Sequence, residues 1–165
     1  MTKPNWLTWA EKEIGVKETP GPKSTRRIVE YRSYAKTPIE GDDGKVSWCA
    51  IFVNAALEAS GIKGSRSAVA RSLLKWGQRL DRPSEGCIVV LSIPGGASWQ
   101  GHTGFYLGET STHVRLLGGN QGDAVSSALF SKSRVLGYRW PSGIPLPKSG
   151  PIATSSSGAY NPSDR

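Results

Sequence analysis

The segment from Trp48 to Ser60, W-C-A-I-F-V-N-A-A-L-E-A-S, constrains the fold more than any other part of the chain. Wound as a helix it is apolar on most sides, and such a helix must be buried on most sides. Ser47 is placed to cap its start and Gly61 to end it. Around this central helix the first half of the chain reads as more helices. Asn5 is a capping residue for a helix through Ile14 that turns Trp6, Ala10 and Ile14 to one side and stops at Gly15. Thr19 to Lys23, T-P-G-P-K, is a turn. A short helix from Ser24 to Tyr34 is buried through Ile28 and Tyr31. Thr37 to Val46 is polar and contains Pro38, Gly41 and Gly44, so it reads as loop. A further helix from Ser67 to Leu80 carries Val69, Leu73, Trp76 and Leu80 inward.

After Pro83 the pattern changes from helical to extended. Cys87 to Ile93 is a short β-branched run between Gly86 and Pro94-Gly-Gly96. His102 to Leu107 and His113 to Leu117 are two more strands, joined by the polar turn from Gly108 to Thr112. Ala124 to Phe130 and Arg134 to Trp140 complete an antiparallel meander. The expected fold class is therefore α+β, with helices packed on one face of a C-terminal sheet. The 165 residues suffice for one core and not for two ordinary ones. Residues 1–141 form the expected domain, and residues 142–165, rich in Pro, Ser and Gly, an expected flexible tail.

No stretch approaches the roughly 20 apolar residues of a bilayer crossing. The opening M-T-K-P-N-W-L-T-W-A has no apolar leader core, so the chain is expected to be made in the cytoplasm without a signal peptide. Lys and Arg number 21 against 13 Asp and Glu, a net charge of +8. That excess favours polyanionic company: nucleic acid, an anionic membrane surface, or an anionic cell envelope. Arg71, Lys75 and Arg79 are four apart, which would align them on one helix face as a solvated row or a docking face for an anionic polymer. No recognised nucleic-acid motif accompanies them, so nucleic acid is not an expected partner.

The chain has two cysteines and two histidines. Two cysteines make no disulfide framework, and no C-x-x-C or H-x-x-x-H spacing suggests a metal, so neither metal nor cofactor is expected. Cys49 falls in the first turn of the central helix, where unpaired N–H groups and the positive end of the helix dipole favour a thiolate. A buried cysteine is also an ordinary core residue. Cys87 opens a strand with nothing to activate it. His102, in G-H-T-G-F-Y, is flanked by glycines that permit close approach, whereas His113 lies at a strand end. If residues 109–112 form the hairpin turn, paired positions sum to about 221. His102 then lies opposite residue 119, next to Asn120. Asn120 follows two glycines and reads by itself as a turn residue; beside His102 it is placed to orient an imidazole, as the third member of a Cys-His-Asn triad.

The runs W-C-A-I-F-V-N (48–54), G-H-T-G-F-Y (101–106) and L-G-G-N-Q (117–121) together resemble the CHAP and NlpC type of papain-like cysteine amidases and peptidases. The likeness extends from P-N-W-L-T-W-A-E-K-E-I-G-V-K-E (4–18) to G-Y-R-W-P (137–141). It implies a papain-like core, with Cys49 as nucleophile, His102 as base and acid, and Asn120 as orienter. It also implies peptidoglycan as substrate, at the muramoyl–L-alanine amide or within the stem peptide. The chain departs from the resemblance at Cys87, where relatives often carry Asp. The Cys49 backbone N–H is the expected oxyanion donor, and Trp48, Ser47, Asp43 and Gln121 are candidates to line the substrate cleft.

The expected function is a monomeric peptidoglycan hydrolase such as a phage endolysin, reaching the wall or periplasm after release or delivery. Arg71, Lys75 and Arg79 would meet anionic envelope polymers. Rival readings are an injected effector or acyltransferase using the same thiol, and a catalytically silent wall-binding module.

Overall fold

The computed structural model describes residues 3–19, 25–37 and 47–157. Its architecture is α+β: three α-helices and two 3₁₀ turns against one six-stranded sheet, among the described residues. Helix α1 spans Asn5–Glu11, α2 Arg26–Tyr34 and α3 Cys49–Ala59. The strands are β1 Gln78–Leu80, β2 Ile88–Leu91, β3 His102–Glu109, β4 His113–Gly118, β5 Ser126–Ser131 and β6 Val135–Trp140. They run in the order β1-β6-β2-β3-β4-β5, with every neighbouring pair antiparallel. Connections within the β2–β5 stretch are local, as an antiparallel sheet allows, but β6 crosses back to pair with β2 and not β5, so the expected meander stops at β5.

The central helix is buried as its composition requires. Every residue from Cys49 to Leu57 is shielded from solvent, including Asn54. That amide is satisfied: its Nδ2 donates to Ser65 Oγ at 3.0 Å and Ser67 O at 3.1 Å, and its Oδ1 accepts from Ser65 N. Trp9, Tyr31, Trp48 and Phe52 join α1, α2 and α3 through edge and stacked ring contacts. Trp6 meets Trp140 of β6 edge-on at 5.1 Å, tying α1 to the sheet.

Three further expectations are corrected. Helix α1 ends at Glu11, three residues early, and Ile14 is half exposed. The chain then turns at Gly15 (φ +104°) and lays Val16 to Glu18 against residues 123–125. The helix expected over 67–80 is instead a 3₁₀ turn, Ala70–Lys75, followed by strand β1. Gly77 (φ +65°) breaks the helical path, and the edge of β6 offers ladder partners to Gln78, Arg79 and Leu80. Pairing with the sheet outweighs the helical spacing of the apolar residues. Arg71, Lys75 and Arg79 therefore do not share a helix face: Arg71 and Lys75 lie in the 3₁₀ turn and Arg79 on a strand.

The third correction concerns the stretch after Pro141. Residues 142–157 return across the body rather than leaving it. Trp140 Nε1 donates to Pro145 O, Gln78 Nε2 to Ile144 O, and Ile152 N to the Tyr106 hydroxyl. Ala153 bridges Glu109, and Arg115 binds Thr154 and the carbonyls of Ser155 and Ser157. Residues 158–165 lie outside the described residues, as do residues 20–23 of the turn expected over 19–23 and residues 38–46 of the loop expected over 37–46. Among the described residues no helix is long and apolar enough to cross a membrane.

Candidate active site

Cys49 is the first residue of α3, preceded by Trp48, whose backbone takes the capping position without a side-chain cap. The Cys49 N–H is thus among the unpaired donors at the start of a helix. His102 is the first residue of β3, and α3 packs across β3. The fold brings the two residues together although 53 positions separate them.

Burial is the largest influence on the Cys49 thiol and opposes its ionisation. Hydrogen bonding and charge from His102, then the Ser47 hydroxyl and the Thr103 backbone, outweigh it. The net effect holds the thiol below its ordinary value. Ser47 Oγ lies 3.8 Å from Cys49 Sγ. Cys49 is 1% exposed and His102 fully buried. Cys87 has no such support: burial pushes its thiol up to about 12.

The imidazole is held by Gln121. His102 Nε2 and Gln121 Oε1 are 3.0 Å apart. Gln121 Nε2 donates to Leu116 O at 3.1 Å and Ser126 O at 2.8 Å. Two carbonyls can only accept, so the amide cannot be reversed and its oxygen must face the ring. Nε2 therefore carries a proton, and in the neutral ring Nδ1 is the acceptor. His102 Nδ1 is buried with no hydrogen-bond partner of ordinary geometry, which leaves it as the ring nitrogen for the neighbouring thiol. Phe130 packs on the ring at 5.1 Å and fixes its plane.

Two glycines make room for this arrangement. A side chain on Gly118 would overlap the Gln121 amide, and one on Gly104 would come within 3.4 Å of Gln121 Oε1. Gly119 brings the end of β4 against α3: a Cβ there would stand 2.6 Å from the Trp48 ring and 2.8 Å from Phe52 Cβ. Asn120 (φ +59°) and Gly122 (φ +63°) then turn the chain back, and the Gln121 backbone N–H donates to Ala124 O.

The site corrects several sequence expectations by geometry. Gln121, read as a candidate for substrate contact, is 1% exposed and carries the imidazole contact expected of Asn120. Asn120 instead reaches the other side of the cysteine, its Nδ2 donating to Ser47 Oγ at 3.5 Å. Trp48 is fully buried, with Nε1 on Glu18 Oε1, and presents no surface to a substrate. Asp43 lies outside the described residues. The signal for Gln121 was the pair Gly104 and Gly118, which leave a slot that only a long side chain from a nearby turn can fill. Among the described residues no group of three or more His, Cys, Asp or Glu side chains is arranged to hold a metal ion.

Chemically, the arrangement is a thiol at a helix start, a base of fixed tautomer beside it, and an amide that orients the base. No family model, curated protein or solved structure matches the chain.

Proposed function

We propose that the protein is a papain-like cysteine amide hydrolase acting on peptidoglycan through Cys49, His102 and Gln121. The observation that carries this reading is the hydrogen-bonded order Gln121–His102 beside a thiol held below its ordinary value at the start of α3. A structural cysteine needs neither the imidazole nor its orienting amide, as Cys87 illustrates.

Cys49 passes its thiol proton to His102 Nδ1, the thiolate attacks the amide carbonyl, and the resulting oxyanion meets the Cys49 N–H at the helix start. His102 Nδ1–H gives its proton to the leaving amine as the C–N bond breaks, leaving a thioester on Cys49. His102 Nδ1 then takes a proton from water. The hydroxide adds to the thioester, and the carboxylic acid leaves as the thiolate reforms. Gln121 keeps Nε2–H bonded throughout, so Nδ1 remains the working nitrogen.

The substrate class is supported by the resemblance of residues 48–54, 101–106 and 117–121 to CHAP and NlpC enzymes. The net charge of +8 agrees with an anionic wall polymer. The decisive experiment digests purified sacculi and identifies the new amino and carboxyl termini by mass spectrometry. Wild-type protein is expected to release one kind of amine-bearing fragment, and Cys49→Ala none. Equal release by both would end the hydrolase reading, and an amine-exchanged product in place of the free acid would make the protein an acyltransferase.

A further inference from the structure

The row Arg71, Lys75 and Arg79 is divided by the fold, and only Arg71 is drawn to the candidate site. Ala70, its chain neighbour, is buried in one cluster with Cys49 and Ala50. The stem of Arg71 crosses Gly101, the residue before His102: a Cβ on Gly101 would stand 3.1 Å from Arg71 Cγ and 3.5 Å from Ala70 Cβ. Arg71 Nε donates to Gln100 O at 2.5 Å. Arg71 therefore sits between the segment that covers Cys49 and the one that begins the His102 strand.

One nitrogen of the guanidinium is fixed, and its two terminal nitrogens bond to no other described residue. Arg79, by contrast, is exposed on β1, 3.9 Å from Asp81. A guanidinium anchored through Nε loses little further freedom when its remaining fork closes on a planar, doubly accepting anion, and a carboxylate matches that fork. We propose that Arg71 is a specificity-determining residue: its terminal nitrogens receive a carboxylate that the substrate carries within a residue or two of the scissile amide. This rests on the hydrolase reading and narrows it to acidic peptides.

The test uses two synthetic stem peptides that differ only in a free carboxylate or a carboxamide beside the scissile bond. Each is measured for hydrolysis with the whole protein and for calorimetric binding to the Cys49→Ala protein. Wild type is expected to favour the carboxylate peptide about ten- to a hundredfold in kcat/KM, the range of a charge-assisted hydrogen bond. Arg71→Gln should abolish that preference by slowing the carboxylate peptide alone, and Arg71→Lys should keep part of it. Both variants lose the Nε bond to Gln100. An equal loss on both peptides by both variants would show a loop clamp and overturn the proposal. So would a wild type indifferent to the two peptides. Binding that discriminates without hydrolysis would sustain Arg71 as a carboxylate receptor and sink the hydrolase reading; hydrolysis without discrimination would do the reverse.

Discussion

Gln121 occupies the space that a side chain on Gly118 would need, and the same amide orients the His102 ring. The β4 residue and the turn residue are three apart, so the orienting group is seated by its own strand.

Gly118→Ala is therefore expected to displace the Gln121 amide and lower kcat by about a hundredfold, the cost of a misplacement near 1 Å. Gln121→Ala should fall in the same range. Asn120→Ala, which leaves His102 bonded, should cost much less. Steady-state rates on a soluble peptidoglycan fragment, with far-ultraviolet circular dichroism as the folding control, check all three. A larger loss for Asn120→Ala than for Gln121→Ala would reverse the assignment.

Reactivity of the two thiols should diverge with pH. Cys49 is held below the ordinary value near 9.0, so its alkylation by iodoacetamide should reach half its plateau below pH 9. Cys87, buried and pushed up to about 12, should stay unmodified until the protein unfolds. Peptide mapping after brief exposure across the pH range separates them, and matching profiles would remove the activated thiolate. His102→Ala should move the Cys49 midpoint upward, since the ring is the main support for the anion.

The chemistry-bearing residues were legible to different degrees. Cys49 followed from the capping logic of a helix apolar on most sides, and His102 from a strand start between glycines. Gln121 did not follow. Expected pairs across β3 and β4 summed to 221, whereas Phe105 pairs with Leu117 and Glu109 with Val114, across an irregularity between Tyr106 and Gly108. A slip of one residue exchanges the faces of a strand, and the left-handed turn at Asn120 then redirects its neighbour. Strand β1 was hidden for another reason: its three residues carry helical spacing, and only the partner edge of β6 reveals them.

Alkaline stability should report Cys87. Its folded-state thiol ionises only near pH 12, while the unfolded thiol ionises near 9. Between those values the folded state holds one more proton, so stability falls as pH rises. The slope is about 1.4 kcal/mol per pH unit from this group. Cys87→Val should flatten the decline between pH 9 and 10, before tyrosines join in. Urea midpoints for the two proteins across that interval give the comparison, and parallel slopes would contradict it.

Truncation after Ser142 should destabilise the body. It removes acceptors from Trp140 and Gln78, the Ser149 partner of Ser84, and the Ile152 contact with Tyr106. Counting about 1 kcal/mol net for each of these four bonds, the melting temperature should drop by roughly 8–16 °C. Differential scanning calorimetry decides it; an unchanged transition would mean that these bonds add nothing.

Residues 3–6, Ile144 and residues 146–149 line one cavity of about 920 Å³ together with Ser60 to Ile62 at the far end of α3. Eleven helical residues put that end roughly 16 Å from Cys49. Groups placed on this side of the body therefore lie remote from the sulfur. The same geometry recommends this side for grafting a targeting module.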